Sequence, residues 1–243
     1  MPISYIPIKM AEVILSGKTS FKIEVPYTVI ESGEPGPKPL ILYLHGFRQN
    51  MELFQRLTKP MLNLRAYHVY IQGPYPVYEP PGNRNVSKWG RGWYLYDGKS
   101  GQFTKSLEIT SAFIQEVVDR ILGVLDVERF GVFGYSMGGY LGGYFALSRW
   151  KHVHEAIIIG GRIKTEVFEN RLEQARHIQF LALHGDKDTS VYPGPQKEHI
   201  GVLNDHGFDA TFKTLDAEHA LTAPFIDESM AWLRSIGYHE VVE

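Results

Sequence analysis

The stretch Phe130-Gly131-Val132-Phe133-Gly134-Tyr135-Ser136-Met137-Gly138 decides the fold class. Its first four residues form a short apolar run typical of a buried strand, and the segment Tyr140–Trp150 is compatible with a helix. A turn this tight between strand and helix forces the serine into a strained backbone, and side chains at the flanking positions would collide. Glycine at positions 134 and 138 removes that collision. The G-x-S-x-G pattern in this context predicts a strand, a sharp turn that presents a serine hydroxyl, and a helix.

The helix after the serine is unusually rich in glycine, at positions 138, 139, 142 and 143. Glycine costs about 1 kcal/mol in a helix interior relative to alanine, so a helix that keeps four of them needs a packing reason. We expect this helix to lie close against the sheet. Its N-terminus also places free N–H groups beside the Ser136 hydroxyl, where they favour developing negative charge.

Short apolar runs recur along the chain and predict further buried strands at Leu40–His45, His68–Gln72, Ala156–Ile159, Phe180–His184 and Thr211–Leu215. Helical patterns separate them, the clearest placing Leu107, Ile114, Val118, Ile121 and Leu125 on one face, and another starting near Thr222 with Pro224 in its first turn. This alternation predicts an α/β fold with a mostly parallel central sheet and helices on both faces. The length of 243 residues fits a single domain over 1–243, with a pair of strands at about 11–30.

Residues 74–101 interrupt the alternation because they show no convincing strand or helix. The segment is nevertheless rich in aromatic residues, namely Tyr75, Tyr78, Trp89, Trp93, Tyr94 and Tyr96. Long irregular connections in compact domains are usually functional or mobile, and ligand sites are often lined by aromatic side chains. Two interpretations stay open: an ordinary loop whose aromatics pack onto the core, and a pocket wall or lid.

A serine activated in this fold needs an acid and then a histidine later in the chain. Asp188 follows the predicted strand that ends at His184, and His219 follows the last predicted strand. Both lie where ligands bind in open α/β sheets, beyond the carboxyl ends of the strands. Asp186 competes with Asp188, but it stands at the turn and suits a capping role. We predict a catalytic triad of Ser136, Asp188 and His219.

The other histidines suit this role less well. His45 ends the first buried strand and is expected to order its loop, whereas His68 is expected at the surface or at a helix end. The tetrahedral intermediate needs two backbone donors, which we assign to the N–H groups of Phe47 and Met137. The loop that carries Phe47 also reads as a plain glycine turn ending in a helix cap at Asn50, and both readings can hold together.

The predicted chemistry is acyl transfer through an acyl-enzyme. His219 takes the Ser136 proton as the hydroxyl attacks the acyl carbon, and Asp188 orients the imidazole and stabilises its charged form. As substrate-binding residues the sequence offers Tyr135, Trp93, Tyr94 and Val191, which lie beside the motifs or in the aromatic segment.

Composition excludes several other classes of function. A formal net charge of −2 gives no electrostatic case for binding nucleic acid, and the absence of cysteine excludes disulfides, thiolate metal ligands and a cysteine nucleophile. We expect neither a metal nor a cofactor. Residues 1–9 lack the pattern of a signal peptide and no apolar run is long enough to span a membrane, so a cytoplasmic location is the default expectation. The sequence does not indicate whether the protein is a monomer or a dimer.

Three segments together resemble the phospholipase/carboxylesterase family of α/β-hydrolases, which includes small bacterial carboxylesterases and acyl-protein thioesterases. They are His45-Gly46-Phe47, Gly134-Tyr135-Ser136-Met137-Gly138-Gly139 and His184-Gly185-Asp186-Lys187-Asp188-Thr189-Ser190-Val191. The resemblance covers roughly residues 38–236 and implies an α/β-hydrolase fold and a cofactor-free hydrolase of carboxylic esters or thioesters. It also places Ser136, Asp188 and His219 in the family's triad positions. Glu218 departs from the family, many members of which have glycine immediately before the histidine.

The leading functional prediction is a carboxylesterase for small or medium esters. The alternatives are an acyl-protein thioesterase, a lysophospholipase or a carbohydrate or aryl esterase, and a non-catalytic ligand-binding protein on the same scaffold. A catalytic triad defines the class of reaction but not the substrate, so the triad does not choose between these alternatives.

Overall fold

The computed structural model describes residues 15–17, 19, 22–78 and 84–241. Nine strands are present in this part of the chain: β1 (Tyr27–Glu31), β2 (Lys38–Leu44), β3 (Tyr67–Ile71), β4 (Tyr75–Pro76), β5 (Arg91–Gly92), β6 (Val127–Tyr135), β7 (Glu155–Ile159), β8 (Gln179–Gly185) and β9 (Ala210–Leu215). Seven of them form one sheet in the order β1-β3-β2-β6-β7-β8-β9, parallel throughout except for the antiparallel β1–β3 pair. Strands β4 and β5 form a separate antiparallel ribbon.

Five α-helices accompany the strands in the described chain: α1 (Met51–Leu57), α2 (Ser100–Leu122), α3 (Met137–Ser148), α4 (Pro193–Asp205) and α5 (Ala223–Ser235). Short 3-10 helices lie at Lys59–Asn63, Val86–Lys88, Thr165–Val167 and Glu169–Ala175. None of the helices in the described part of the chain is long and apolar enough to cross a bilayer.

The helices cover both faces of the sheet because successive side chains of a strand point to opposite sides. In β2, Leu40, Leu42 and Leu44 pack into one core with residues of α2, α3 and α4. Ile41 and Tyr43 of the same strand pack into a second core with residues of α1 and α5. A strand buried on both faces is apolar throughout, which is why these runs could be recognised in the sequence. The predicted parallel sheet with helices on both faces is confirmed.

The N-terminal part departs from the expected pair of strands at about 11–30. Of this stretch, the described residues 15–17, 19 and 22–30 contain only β1, which hydrogen-bonds to the edge of β3. Residues 11–14, 18, 20 and 21 lie outside the described part. The expectation for His68 was wrong: it lies in β3 with no exposed surface, where Tyr43 Oη and its Nδ1 are 2.9 Å apart.

Strands β2, β6, β7, β8 and β9 are parallel neighbours, so their carboxyl ends meet at one edge of the sheet. The loops that follow them carry Phe47, Ser136, Arg162, Asp188 and His219. This edge gathers residues that are far apart in sequence, and the site is built there.

Candidate active site

Ser136 occupies the turn between β6 and α3 with φ 51° and ψ −115°. In the described chain it is one of two non-glycine residues with positive φ. Two glycines make the turn sterically accessible. A Cβ on Gly134 would lie 2.4 Å from the Gly138 carbonyl oxygen, and one on Gly138 would lie 2.0 Å from the Leu44 carbonyl oxygen. The helix therefore packs directly on the backbone of the sheet, as its glycine content predicts, and lifts the serine above the strand ends.

His219 lies on the loop after β9 and faces Ser136. Its Nε2 is 2.8 Å from the Ser136 Oγ. The ring of Tyr135 stacks on the imidazole with centroids 5.6 Å apart, and the Tyr135 hydroxyl donates to the His219 carbonyl oxygen at 3.2 Å. Tyr135 thus fixes both the ring and the backbone of His219. Glu218, the neighbour that departs from the family pattern, is exposed to solvent.

Asp188 lies on the other side of His219, and its Oδ2 is 2.6 Å from Nδ1 of the imidazole. Its Oδ1 accepts the backbone N–H groups of Ser190 and Val191, each at 2.9 Å. Burial works to raise the pKa of Asp188, but the Val191 N–H and the hydrogen bond from His219 outweigh it and hold the pKa below its ordinary value. The carboxyl is therefore an anion that can accept from an imidazole N–H. Asp186, the competing candidate, is exposed and accepts only weakly from the Ala217 N–H at 3.3 Å.

The loop after β2 is held rigidly at the same edge. The Gly46 N–H donates to Gln49 Oε1 at 2.7 Å, and Trp93 Nε1–H donates to the His45 carbonyl oxygen at 2.7 Å. His45 is fully buried between Gly46 and Gly73, with Nδ1 2.8 Å from the Gly46 carbonyl oxygen and Nε2 accepting from the Gly73 N–H at 3.0 Å. Burial lowers the pKa of His45 to about 4. The neutral tautomer with a proton on Nδ1 therefore satisfies both contacts, and His45 orders its loop.

The two predicted oxyanion donors are Phe47, in the loop after β2, and Met137, the first residue of α3. Phe47 and Met137 are brought together around Gly92, whose Cβ position would be 3.6 Å from Phe47 Cδ2 and 3.5 Å from Met137 Cε. Within the described residues, the N–H groups of Phe47 and Met137 make no hydrogen bond to another protein group. Asn50 also caps α1, since its Oδ1 accepts the Leu53 N–H at 2.8 Å, so the turn is at once a helix cap and part of the site edge.

A cavity of about 520 Å³ opens one helical turn beyond Ser136. Tyr140, which lines the cavity, lies one helical turn after Ser136, and its N–H donates to the Ser136 carbonyl oxygen at 3.0 Å. The cavity is lined mainly by aromatic and charged residues, and its lining consists of Tyr94, Tyr96, Gly98, Ser100, Phe103, Tyr140, Arg162, Lys164 and Glu166. Four residues of the 74–101 segment, Tyr94, Tyr96, Gly98 and Ser100, therefore line the cavity.

The other predicted substrate-binding residues lie elsewhere. Trp93 has no exposed surface and supports the loop after β2, so it belongs to the core beneath the site. Tyr135 supports His219, and Val191 holds Asp188 through its N–H. Trp93 and Tyr135 act through their side chains and Val191 through its backbone, and none of the three lines the cavity. Of the four candidates only Tyr94 lines it.

Comparisons with known proteins identify the family of this chain and proteins that share its fold. The family model described as serine hydrolase (FSH1) matches residues 36–220. This chain belongs to the serine hydrolase (FSH1) family. No curated protein sequence matches this serine hydrolase.

Solved structures show the same fold at low sequence identity. Esterase PE8 has a TM-score of 0.72 and 18% identity, covering 88% of this serine hydrolase and 100% of that chain. The Bacillus cereus carboxylesterase has a TM-score of 0.67 and 14% identity over 87% and 94% of the two chains. Acyl-protein thioesterase 2 of Zea mays has a TM-score of 0.68 and 20% identity over 86% and 98%. These structures and the family model bear out the resemblance at the level of a serine hydrolase with the α/β-hydrolase fold.

Sequence reasoning missed five residues of the serine hydrolase's cavity: Phe103, Tyr140, Arg162, Lys164 and Glu166. Phe103 is the centre of the aromatic wall, with ring centroids 5.0 Å from Tyr94 and 5.2 Å from Tyr96. The charged residues follow β7, and their position after the carboxyl end of a parallel strand was a usable signal. Within the described residues no group of three or more histidine, aspartate or glutamate side chains could hold a metal ion.

Proposed function

We propose that this serine hydrolase cleaves carboxylic esters of small or medium size through Ser136, His219 and Asp188. The observation that carries the proposal is the continuous hydrogen-bonded series from Ser136 Oγ to His219 Nε2 at 2.8 Å and from His219 Nδ1 to Asp188 Oδ2 at 2.6 Å. This order supplies a nucleophile, a base and a group that orients the base.

In the first half of the proposed reaction, Ser136 Oγ attacks the acyl carbon while its proton passes to His219 Nε2. Asp188 holds the proton on Nδ1 and stabilises the imidazolium. The carbonyl oxygen becomes an oxyanion, which in this proposal accepts from the N–H groups of Phe47 and Met137. When the intermediate collapses, the bond to the alcohol oxygen breaks and His219 returns the proton to the leaving alcohol.

In the second half, water attacks the acyl-serine ester and gives its proton to His219. The second tetrahedral intermediate collapses by expelling Ser136 Oγ, which takes the proton back and releases the acid. No redox partner or cofactor enters this balance. A cavity of about 520 Å³ suits a small or medium acid or alcohol, because ligand pockets of this kind span roughly 300–1,000 Å³.

The test is hydrolysis of p-nitrophenyl esters with acyl chains from acetate to palmitate, with Ser136→Ala as the matched control. We expect turnover that is greatest for short or medium chains and absent from the variant. A thioester series of the same acyl chains separates esterase from thioesterase preference. No turnover together with no labelling of Ser136 by a fluorophosphonate would instead favour a non-catalytic binding protein. The cytoplasmic location stays a prediction from the sequence.

A further inference from the structure

The cavity beside Ser136 holds more positive than negative charge. The ammonium of Lys164 lies 2.6 Å from Glu166 Oε1, and Arg162 Nη2 lies 2.5 Å from the same oxygen. Two cations therefore share one carboxylate, and the charged side chains that line the cavity sum to +1. The Lys164 side chain is only 7% exposed, so solvent does little to stabilise its charge.

The neighbouring histidine does not offset the excess charge. His199 Nε2 accepts from Arg162 Nε at 2.8 Å, and its Nδ1 is 2.5 Å from Thr165 Oγ1. Burial, followed by the charge of Arg162, lowers the pKa of His199, so the ring is neutral at neutral pH. The remaining cavity wall is uncharged and largely aromatic, with the Lys164 ammonium 5.5 Å from the Phe103 ring centroid.

We propose that this cavity binds a carboxylate carried by one half of the ester substrate, so that the preferred substrate is a monoanionic ester. The inference rests on the proposed function and specifies its substrate class. One monoanion would neutralise the excess charge, and Lys164 has two further N–H donors beyond the one that faces Glu166. The aromatic wall of Tyr94, Phe103 and Tyr140 would cover the apolar chain between the carboxylate and the ester.

The experiment compares kcat/KM for monoethyl adipate with that for ethyl hexanoate, which has a similar chain without the carboxylate. A second pair, 6-acetoxyhexanoate and hexyl acetate, places the carboxylate on the alcohol half. We expect the anionic member of one pair to be preferred by about ten-fold or more, which identifies the half that enters the cavity. The preference should shrink in high salt, since salt screens a partly exposed charge pair.

Variants separate this inference from the proposed function. Lys164→Met should bring the preference close to one, Lys164→Arg should restore most of it, and Glu166→Gln should increase it by removing the competing carboxylate. Lys105→Met, which removes an exposed positive charge outside the cavity lining, is the matched control and should leave it unchanged. Equal turnover of neutral and anionic esters by the wild type would overturn the inference alone. No turnover of any of the four esters would overturn the proposed function as well.

Discussion

The two ends of β6 and β7 carry two buried polar clusters that differ in one respect. At their N-terminal ends, Arg129 donates to Glu155 Oε2 from Nε at 3.0 Å and Nη2 at 2.6 Å, and the Tyr238 hydroxyl donates to Oε1. At the edge formed by the carboxyl ends lies the series Ser136–His219–Asp188, in which Ser136 follows β6, Asp188 follows β8 and His219 follows β9. The first cluster is closed, with the Glu155 side chain 1% exposed, whereas the second opens to solvent at His219, which is 21% exposed.

The difference shows how one pair of strands can serve both stability and chemistry. A carboxylate whose oxygens are all occupied within the protein is inert and contributes to folding. A series whose last member, Ser136 Oγ, still faces an open side can pass its proton on when a substrate arrives. The two clusters should therefore respond oppositely to substitution, in stability at one end and in rate at the other.

The largest effect is expected for Ser136→Ala. It should lower kcat by about 10⁴-fold or more, because the members of a triad act as a unit and little catalysis survives without the nucleophile. Stability should change by less than about 0.5 kcal/mol, since no buried partner loses its only contact. Ester hydrolysis and urea unfolding of the same preparation measure the two quantities. Residual turnover within ten-fold of the wild type would assign the nucleophile elsewhere.

Glu155→Ala is the corresponding substitution in the closed cluster at the N-terminal ends of β6 and β7. It should cost about 3–5 kcal/mol of stability, because it leaves the partly buried Arg129 guanidinium and the buried Tyr238 hydroxyl without their partner. The kcat of the protein that remains folded should stay within about two-fold of the wild type. Urea unfolding and active-site titration with a fluorophosphonate measure the two effects. A large loss of kcat per titrated site would show that the two ends of the strands are coupled.

Acid should weaken the fold through two buried histidines. Burial lowers the pKa of His45 and of His68 to about 4 each. Because the ordinary value is near 6.5, the unfolded chain binds more protons than the folded chain between pH 6.5 and 4. Stability is therefore complete above about pH 6.5 and falls toward pH 4, by about 3 kcal/mol for each histidine at the limit.

Urea unfolding from pH 4 to pH 8 measures this slope. His45 orders the loop after β2 beside the candidate active site, so its replacement would change activity as well as stability. The test therefore replaces His68, which is remote from that loop. His68→Gln should flatten the stability curve but leave activity at pH 7.5 nearly unchanged. A stability curve with the same slope in this variant would assign the acid sensitivity to other groups.

The sequence predicted those parts of the site that depend on backbone geometry. Gly134 and Gly138 mark a turn that only glycine permits, and Asp188 and His219 follow strands that are apolar enough to recognise. The aromatic wall of the cavity could not be predicted in the same way, because Phe103 reaches it from α2 and Tyr140 from α3. Such meetings depend on how helices pack across the sheet, and no local pattern encodes them. Trp93 was predicted to line the substrate site because it lies in the irregular aromatic segment. It belongs to the core instead, because its indole N–H donates to the buried His45 carbonyl oxygen.

The smallest and most discriminating test replaces one tyrosine at each end by phenylalanine. Tyr238→Phe removes a hydrogen bond to a buried carboxylate and should cost about 1.5–3 kcal/mol of stability with no change in kcat. Tyr135→Phe removes a bond of 3.2 Å to the His219 carbonyl oxygen but keeps the stacked ring, so it should cost only about 0.5–1 kcal/mol. Its effect should fall instead on kcat, by several-fold, because the loop that carries the base gains freedom. Urea unfolding and kcat measured for both variants give four numbers. Equal stability losses, or a rate loss confined to Tyr238→Phe, would mean that the closed and open clusters do not divide stability from chemistry.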